Sequence, residues 1–528
     1  KESSDFLTIA TTRPETMLGD TALAVSPKDS RFVSLIGKTV IVPIVNREIP
    51  IIADHTVDPK FGTGVVKITP AHDHNDYEIG LRHNLPLINI LTPDGKINKT
   101  GQEFEGLSVF NAREKILKKL KKLDLLEKTE PHLHRVGISY RSKAVIEPYL
   151  SKQWFVKITA FKDDLIDAVK NKKVQLIPKS FEKTYFHWIN NLRDWCISRQ
   201  IYWGHRIPVW YNIKDPEKII CYAGENIPKE AEKEPENWVQ DEDVLDTWFS
   251  SALWPFSTLG WPENTGDLKK FYPTSVLITG HDILFFWVAR MILMGKYIMH
   301  EVPFHQTFLH GLIYSKSYWK KEKDGSTTYL SLEEKTNYDL GSPIPEDVES
   351  KWEKMSKSKN NVIDPIEIID LYGTDAMRMA LSSSVTFAKQ IDLDRRRFDE
   401  FKNFANKIWN GARFVLQNIQ GNDPLTKEQF ESGLDFSLFN LEDKWIFTKF
   451  NQTIEKILVS FDEYHFDLAA NLSYDFFWND FCSNYLELAK PYLFSKYGNA
   501  AIRKNKQKIL VILLGLTMRM IHPIAPYI

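Results

Sequence analysis

VLITGHDILFFW, residues 276–287, sets the architecture expected of this chain, because an apolar strand pattern runs directly into a helical one. Gly280, His281 and Asp282 stand at the junction. A strand followed at once by a helix is the unit of a parallel, doubly wound sheet, which binds ligands at the carboxyl ends of its strands. Gly280 would let a nucleotide approach the backbone, and Asp282 could accept hydrogen bonds from ribose hydroxyls or an amino group. Taken alone, these residues also fit a tight turn with a helix-capping aspartate.

Three regions of different pattern follow one another along the 528 residues. Residues 1–135 carry short β signals (TIATT, TALAV, TVIVPIV, GVVKIT) and one helix pattern after Asn111, the expected N-cap. Residues 136–345 mix strand and helix patterns, and TFLHGLI at 307–313 is expected to be a second core strand. From about 399 the pattern is helical. The sequence predicts a multidomain α/β protein with a β-rich domain, a Rossmann-type parallel sheet and an all-α bundle.

Composition narrows the class of protein further. The chain is 43% hydrophobic and 26% charged with a net charge of −1, so any nucleic-acid surface must be local. Three cysteines far apart in sequence exclude a disulfide framework and suit a reducing cytosol. The longest apolar stretch, from Ile283, is interrupted by Arg290 and Lys296, which favours a buried helix over a membrane span. Two polar insertions, 213–243 and 318–350, are expected to be surface loops.

EKMSKSKN, residues 353–360, admits two interpretations from its letters alone. One is a solvated loop. The other is a flexible clamp for a polyanion, because a lysine is a compact point charge on a long stem that can follow a phosphate chain.

The surrounding motifs decide between them. In combination with KMSKS and residues 276–287, three further stretches resemble the class I aminoacyl-tRNA synthetases of the Val/Ile/Leu group: DWCISRQIYWGHRIPVW at 194–210, DVLDTWFSSALWPFS at 243–257 and GTDAMRMAL at 373–381. The resemblance implies ATP, with Mg²⁺, as a substrate for amino-acid activation. It also implies that Lys354 and Lys357 stabilise the pyrophosphate while a carboxylate attacks the α-phosphate.

Two N-terminal stretches resemble the editing domain of valyl-tRNA synthetases: ATTRPETMLGDTALAV at 10–25 and GTGVVKITPAHDHNDYEIGLRHNL at 62–85. The resemblance implies valine and tRNA(Val) as substrates and hydrolysis of mischarged threonyl-tRNA(Val). Thr11, Arg13 and Thr16 would hold the terminal adenosine and the ester. The mischarged residue's pocket would be lined by Lys67, Thr69, Asp73 and Asp76, with Asp76 binding the α-amino group. The alternative is structural: Arg13 and Asp73 form an ion pair, and His72 or His74 is a satisfied surface imidazole.

In the synthetic half, the resemblance places ATP and the aminoacyl-adenylate at Gly280, Asp282, His310 and Gly311. Trp248, Ile283 and Trp287 would wall the valine pocket, although tryptophans at these spacings also fit an ordinary core. The implied domains are an editing domain at 1–135, the second half of the catalytic domain at 136–345, a KMSKS and stem-contact segment at 346–398, and a truncated anticodon-binding domain at 399–528. A cytoplasmic monomer that contacts no membrane is expected.

The sequence departs from the family pattern in three ways. It contains no His-x-Gly-His signature, so we expect a central and C-terminal fragment that does not activate valine by itself. Ser139 and Ser142 stand where relatives often carry a Cys-x-x-Cys pair, so we expect no zinc and no other metal ligands. The C-terminal coiled coil expected of valyl enzymes is also missing.

Two rivals stay open. An isoleucyl-tRNA synthetase shares most of the motifs, although TTRPET and AHDHND argue against it. A tRNA-binding protein that retains the fold without ligase chemistry would explain the missing signature, but it leaves KMSKS without an evident use.

Overall fold

The computed structural model describes residues 6–139, 142–224, 226–322, 326–384, 386–387, 389–419 and 433–528. The chain divides into two compact units, Lys1–Gln153 and Trp154–Ile528. Within the described residues, no helix combines the length and apolarity needed to cross a membrane.

The first unit is built on a mixed four-stranded sheet in the order β2-β3-β1-β4. Its elements are β1 (Ala22–Val25), β2 (Thr39–Val42), β3 (Arg47–Ala53), β4 (Val65–Ile68), α1 (His74–Arg82) and α2 (Val109–Lys122), with 3-10 turns at Pro14–Gly19, Val33–Leu35 and Lys99–Phe104. β1 lies at the centre, parallel to β3 and antiparallel to β4. All four β1 residues are buried because both faces of the strand are covered.

The helices of this unit begin where side-chain oxygens satisfy free backbone amides. The Ser108 hydroxyl accepts from the amide of Asn111 at the start of α2, so Ser108 is the N-cap and the expectation for Asn111 was wrong by one turn. Val109, Ala112, Ile116 and Leu120 form the buried stripe of α2. TIATT was also wrong as a strand: Thr8–Thr12 contains no strand residue and leads into the turn that begins at Pro14.

The second unit contains the remaining elements. Its strands are β5 (Phe155–Val156), β6 (Gln175–Ile177), β7 (Trp195–Cys196), β8 (Ser198–Arg199), β9 (Val209–Asn212), β10 (Ile219–Cys221), β11 (Trp238–Gln240), β12 (Val244–Leu245), β13 (Thr274–Gly280), β14 (Phe304–His310), β15 (Leu312–Lys321), β16 (Thr327–Tyr329), β17 (Val348–Lys354) and β18 (Gln390–Asp392). Its α-helices are α3 (Lys162–Lys170), α4 (Phe181–Asn190), α5 (Thr247–Ser251), α6 (Trp254–Ser257), α7 (Gly266–Phe271), α8 (Arg290–Met294), α9 (Leu332–Asp339), α10 (Pro365–Tyr372), α11 (Thr374–Ser382), α12 (Arg396–Gln417), α13 (Leu441–Asp462), α14 (Phe466–Asp475), α15 (Leu486–Leu493) and α16 (Ala500–Ile521).

A parallel sheet in the order β13-β14-β6 forms the centre of the nucleotide-fold region. Gly280, the last residue of β13, lies opposite His310, the last residue of β14. The chain then turns at His281–Ile283 and continues as a helical run through Met299, with π-helical stretches on both sides of α8. The predicted strand, the predicted buried helix and the parallel pairing are therefore confirmed.

The two polar insertions are folded segments, which corrects the expectation of plain loops. The first carries β10 and β11, which pair with β9. The second carries β16, α9 and the first three residues of β17. β15 pairs with β16 and β17 in antiparallel fashion and with β18 in parallel. Polar residues dominate these strands because one face of each small sheet meets solvent.

From α12 onward the described chain is helical, as predicted. Phenylalanines at one-turn spacing on α12, Phe398, Phe401 and Phe404, enter one buried core with residues from α13 to α16. The same core includes Ile368 from α10 and Met379 from α11. The helices that follow KMSKS therefore pack with the bundle. The predicted fold class, a multidomain α/β protein with a β-rich domain, a Rossmann-type parallel sheet and an all-α bundle, is confirmed.

Candidate functional site

The carboxyl edge of the parallel sheet brings together the glycine, histidine and aspartate of the GHD junction. A Cβ added to Gly280 would lie 2.7 Å from Asp282 Oδ1, so the aspartate folds back over the glycine. His281 stacks on Phe181, with ring centroids 5.4 Å apart. His310 lies across from Gly280, and its Nδ1 is 2.9 Å from the carbonyl of Gly311. The residues expected to bind ATP thus share one strand edge.

Lys354, the first lysine of KMSKS, reaches this same edge. It is the last residue of β17, and its Nζ donates to Asp282 Oδ2 at 3.2 Å. Both side chains are exposed, so the contact is weak and exchangeable. Lys357 opens the short turn Lys357–Lys359 and is exposed to solvent. Of the two lysines expected to bind phosphate, Lys354 therefore contacts the sheet edge, and Lys357 is exposed in the loop.

Two half-buried tryptophans were expected in the valine pocket, Trp248 in α5 and Trp287 in the helical run after β13. Trp287 Nε1 donates to the carbonyl of Ser251 at 2.9 Å, which attaches its ring to the end of α5. Trp248, in the same short helix, stacks on Phe286 with ring centroids 6.0 Å apart. Ile283, also half-buried, lies between the GHD junction and Trp287 along the chain. The hydrogen bond fixes the indole plane of Trp287 without using its apolar face.

Asp246 is a buried anion near these aromatics that the sequence reading missed. Its Oδ2 accepts from Trp195 Nε1 at 2.9 Å, and Arg199 and Arg290 pair with the same oxygen. Arg290 lies over the Trp195 ring at 3.9 Å, and burial lowers the pKa of its guanidinium to about 10. Asp246 also caps α5 through the amide of Trp248. One carboxylate thus positions the helix that carries Trp248.

In the first unit, a buried cluster contains three of the expected editing residues. Lys67 Nζ donates to Thr16 Oγ1 at 2.7 Å, to Asp20 Oδ1 at 3.1 Å, and to Thr69 Oγ1. The Thr16 hydroxyl donates to the carbonyl of Arg13, and the Thr69 hydroxyl donates to Asp20. All three ammonium protons and both hydroxyl protons have acceptors. Burial raises the pKa of the Asp20 carboxyl, and the charge of Lys67 opposes that rise.

Asp73 and Asp76 lie at the beginning of α1, closer to solvent. Asp73 is exposed, and its Oδ1 caps the helix by accepting from the amides of Asn75 and Asp76. Asp76 is half-buried, and its Oδ2 accepts from the amide of Thr69 at 2.8 Å. Burial raises the pKa of Asp76 to about 6, with a further rise from the charge of Asp73. Asp76 thus joins the helix start to the buried cluster.

Arg13 is held by carboxylates other than the one considered in the sequence reading. It pairs with Glu147 and lies 3.7 Å from Glu15, and its Nη1 donates to the carbonyl of His72. Glu15 is buried and also forms a two-point ion pair with Arg113. No ion pair between Arg13 and Asp73 occurs among the described residues. Thr11, which is exposed, accepts from the amide of Arg13 at 3.0 Å.

His72 is a fully buried, neutral imidazole, not a surface one. Its Nε2 accepts from the amide of Ile90 at 2.9 Å, so its Nδ1 carries the proton and donates to the carbonyl of Pro148 at 3.0 Å. Burial lowers the pKa of His72 to about 4. His74, in contrast, is exposed at the first position of α1. Neither ring nitrogen of His72 is available for proton transfer.

The sequence carried a signal for some of the missed residues and none for others. Lys67 and Thr69 were expected from the resemblance, and Lys67 lies in β4 with Thr69 directly after it. Asp20, which was missed, directly follows the turn Pro14–Gly19 and lies inside the stretch at 10–25 that carries the resemblance. Glu147 lies 134 positions from Arg13, and no local pattern connects them. In the part of the chain described above, no group of three or more His, Cys, Asp or Glu side chains could hold a metal ion.

Comparison with known proteins gives two family matches. Residues 44–326 and 348–394 match the family described as tRNA synthetases class I (I, L, M and V). Residues 443–528 match the anticodon-binding domain of tRNA ligase.

Individual relatives agree with these matches. The chain is 63% identical to a valine–tRNA ligase of Protochlamydia amoebophila (strain UWE25) and 56% identical to that of Chlamydia felis (strain Fe/C-56). Each alignment covers 100% of this chain and 56% of the relative, so the chain spans about half the length of these proteins. A Mycobacterium tuberculosis methionyl-tRNA synthetase bound by methionyl-adenylate matches in fold, with a TM-score of 0.50 and 16% identity, over 74% of this chain and 64% of that one.

Proposed function

We propose that this chain, which belongs to the class I tRNA synthetases of the isoleucine, leucine, methionine and valine group, carries out part of the work of a valine–tRNA ligase. The observation that carries the proposal is the contact between Lys354 of KMSKS and Asp282 at the carboxyl edge of the parallel sheet. The identity of 63% to a valine–tRNA ligase supports valine as the amino acid and tRNA(Val) as its acceptor.

The first reaction is formation of valyl-adenylate. The valine carboxylate attacks the α-phosphate of ATP, a phosphorus–oxygen bond forms, and the bond to the pyrophosphate oxygen breaks. Negative charge builds on the leaving pyrophosphate, and Lys354 and Lys357 supply positive charge there. Mg²⁺ enters with the ATP as part of the substrate.

The Asp282 carboxylate would hold the Lys354 side chain at the carboxyl edge of the sheet before valine binds. Its carboxylate accepts from the Lys354 ammonium, and the α-ammonium of valine is the same kind of donor. Binding of valine at Asp282 therefore displaces Lys354 and frees it for the phosphates. Because both side chains are exposed, the exchange costs little free energy.

The valine side chain would lie against Trp248, Ile283 and Trp287. The indole nitrogen of Trp287 is already bonded to Ser251, so the ring presents carbon atoms to the substrate. A threonine hydroxyl would find no partner on such a surface. A hydrophobic pocket rejects it by only about 10²-fold, a general property of valyl-tRNA synthetases against threonine.

Editing in the first unit would remove the threonine that escapes this selection. The ammonium of threonyl-tRNA would bind Asp76, whose Oδ2 accepts from Thr69 and whose Oδ1 has no hydrogen-bond partner among the described residues. Thr16 and Thr69 commit their protons to Arg13 and Asp20, so toward a ligand they act as hydrogen-bond acceptors. Thr69, Lys67 and Asp73 would line the pocket, and Thr11, Arg13 and Thr16 would hold the adenosine and the ester.

Amino-acid-dependent pyrophosphate exchange by the complete gene product tests the synthetic half. Valine should support exchange, and isoleucine and threonine should support it at least 10²-fold less efficiently in kcat/KM terms, the scale of pocket discrimination. Preference for isoleucine would favour the isoleucyl rival. Binding of tRNA without exchange for any amino acid would favour the tRNA-binding rival.

A further inference from the structure

Asn361, three residues after KMSKS, is a fully buried side chain in a polar surface segment. It is 0% exposed, whereas Asn360 beside it is exposed. A buried amide requires hydrogen-bond partners for both its oxygen and its nitrogen. Its partners among the described residues are backbone atoms of β15, of β17 and of the loop that follows β17.

The oxygen and the nitrogen of Asn361 hold opposite sides of the loop base. Oδ1 accepts from the amide of Ser356 at 2.7 Å. Nδ2 lies 3.3 Å from the carbonyls of Ser315 and Glu353 and 3.4 Å from that of Lys354, so its two protons are shared among three acceptors. The side chain therefore ties the end of β17 to β15 and to the first turn of the loop.

The backbone turns back toward this anchor at Asn360. Its φ of +50° lies in the left-handed region, where asparagine is tolerated better than most residues. Among the described residues, the Asn360 side chain donates to the carbonyl of Leu330, at 3.1 Å. Asn360 thus closes the loop by conformation, and Asn361 fixes it by hydrogen bonds.

We infer that Asn361 is the positioning residue of the KMSKS loop, acting on the phosphates through Lys354. This inference rests on the proposed function. Asn361 bonds the carbonyl of Lys354 itself and the amide two residues later, so it sets where the Lys354 side chain leaves the strand. The Lys354 ammonium then reaches Asp282 at the sheet edge.

Without the hydrogen bonds of Asn361, the Lys354 side chain would no longer be held in position for the departing pyrophosphate. A displacement of about 1 Å in a catalytic group can cost about 10²-fold in rate. We expect N361A in the complete gene product to lower kcat for valine-dependent pyrophosphate exchange by about 10- to 100-fold. The KM for valine should stay near that of the wild type because Asn361 does not approach the valine pocket.

A double-mutant cycle separates positioning from a general structural role. If Asn361 acts through Lys354, N361A should add little further loss to a K354A protein. N360G is the matched control, since glycine accepts the positive φ and only the bond to Leu330 is lost. It should retain wild-type exchange within about twofold. Fully additive losses for N361A and K354A would overturn the inference, as would normal exchange in N361A.

Tryptic cleavage of this chain gives a readout that needs no activity. Lys354, Lys357 and Lys359 are cleavage sites within the loop, and mass spectrometry locates the cuts. N361A should be cut there several-fold faster than the wild type and N360G, with unchanged cutting elsewhere. Unchanged loop cutting would overturn the inference. The wild type could fail to catalyse valine-dependent exchange while N361A is still cut faster in the loop. That result would refute valine as the substrate but would support the role of Asn361 in holding the loop.

Discussion

Lys354 and Lys357 differ in their surroundings but share one expected role. Lys354 contacts Asp282, whereas Lys357 is exposed in the loop. In the complete gene product, K354A or K357A should slow valyl-adenylate formation by about 10² to 10³, the scale for removing one transition-state donor. Valine affinity should change little, because neither lysine reaches the side-chain pocket. Pyrophosphate-exchange kinetics measure both quantities, and unaltered kinetics in both variants would contradict the assigned role.

His72 and Asp76 make the stability of the first unit depend on pH in opposite directions. The folded-state pKa of His72 is about 4, below its usual 6.5, so its contribution is lost as pH falls from about 6.5 to 4. The folded-state pKa of Asp76 is about 6, above its usual 3.8, so its contribution is lost as pH rises from about 3.8 to 6. Between pH 4 and 6, the change in stability due to His72 and the change due to Asp76 have opposite signs and largely cancel.

A variant that lacks one of these two titrating groups should reveal the pH dependence of stability that the other group produces. D76N keeps an oxygen for the Thr69 amide but no longer titrates. Its melting temperature should therefore fall more steeply than that of the wild type as pH drops from 7 to 5. D124N is the control, because Asp124 is exposed and asparagine tolerates its positive φ of +56°. Thermal melts across this pH range measure the dependence of melting temperature on pH. If this dependence is the same for D76N and the wild type, Asp76 does not oppose the effect of His72.

At the residue scale, the candidate site residues came from the resemblance to the synthetases and not from local geometry. Lys354 and Asp282 are 72 positions apart, and no local pattern connects them, yet their side chains are in contact. Lys67 in β4 and Thr69 directly after it lie in one buried cluster. Glu147 and Asn361 were missed because their partners are set by loops that fold back, and a loop's path leaves no period in the sequence.

At the scale of elements, a buried charge cluster connects two helices of the bundle. Lys506 on α16 is 1% exposed and pairs with Glu442 and Asp443 at the beginning of α13. The Tyr485 hydroxyl donates to Asp443 at 2.6 Å. Loss of Lys506 leaves the buried Asp443 carboxylate without a counter-charge, whereas neutralising Asp443 as well leaves only the more exposed Glu442 unpaired.

We therefore expect K506M to destabilise the bundle by about 3–5 kcal/mol, as for other broken buried pairs. The double variant D443N/K506M should recover much of that loss. K504M, an exposed lysine of the same helix, should change stability by less than about 0.5 kcal/mol. Urea unfolding followed by circular dichroism measures each change. Equal losses for the single and double variants would show that the charge pair is not the cause.

The helices and the parallel sheet could be predicted from the sequence because the spacing of apolar residues follows the burial of each face. The strands of the small sheets could not be predicted in this way. β16 and β17 are polar strands paired with β15, which itself carries serines and lysines, so they lack the alternation of apolar and polar residues that marks a half-buried strand. The N-cap of α2 was misplaced because both Ser108 and Asn111 are suitable caps, and only the hydrogen bond distinguishes them.

At the scale of the whole molecule, the two proposed chemistries belong to separate compact units. The editing residues lie in Lys1–Gln153, and the adenylation residues lie in Trp154–Ile528. Each unit has its own buried core. Hydrolysis of an ester needs an anchored ammonium, a held adenosine and a water, and none of these requires ATP. The sequence contains no His-x-Gly-His signature for the adenylation site.

The chain as it stands should therefore hydrolyse preformed threonyl-tRNA(Val) while forming no valyl-tRNA. D76N should reduce the hydrolysis by at least about 10²-fold, because an aminoacyl ester without its ammonium partner loses its orientation. In the wild type the rate should fall as pH drops below about 6, where Asp76 becomes protonated. K354A, altered only in the other unit, is the control and should hydrolyse normally. Ester loss from threonyl-tRNA and valyl-tRNA is followed in parallel, and equal hydrolysis of both, or full activity in D76N, would show that the editing site lies elsewhere.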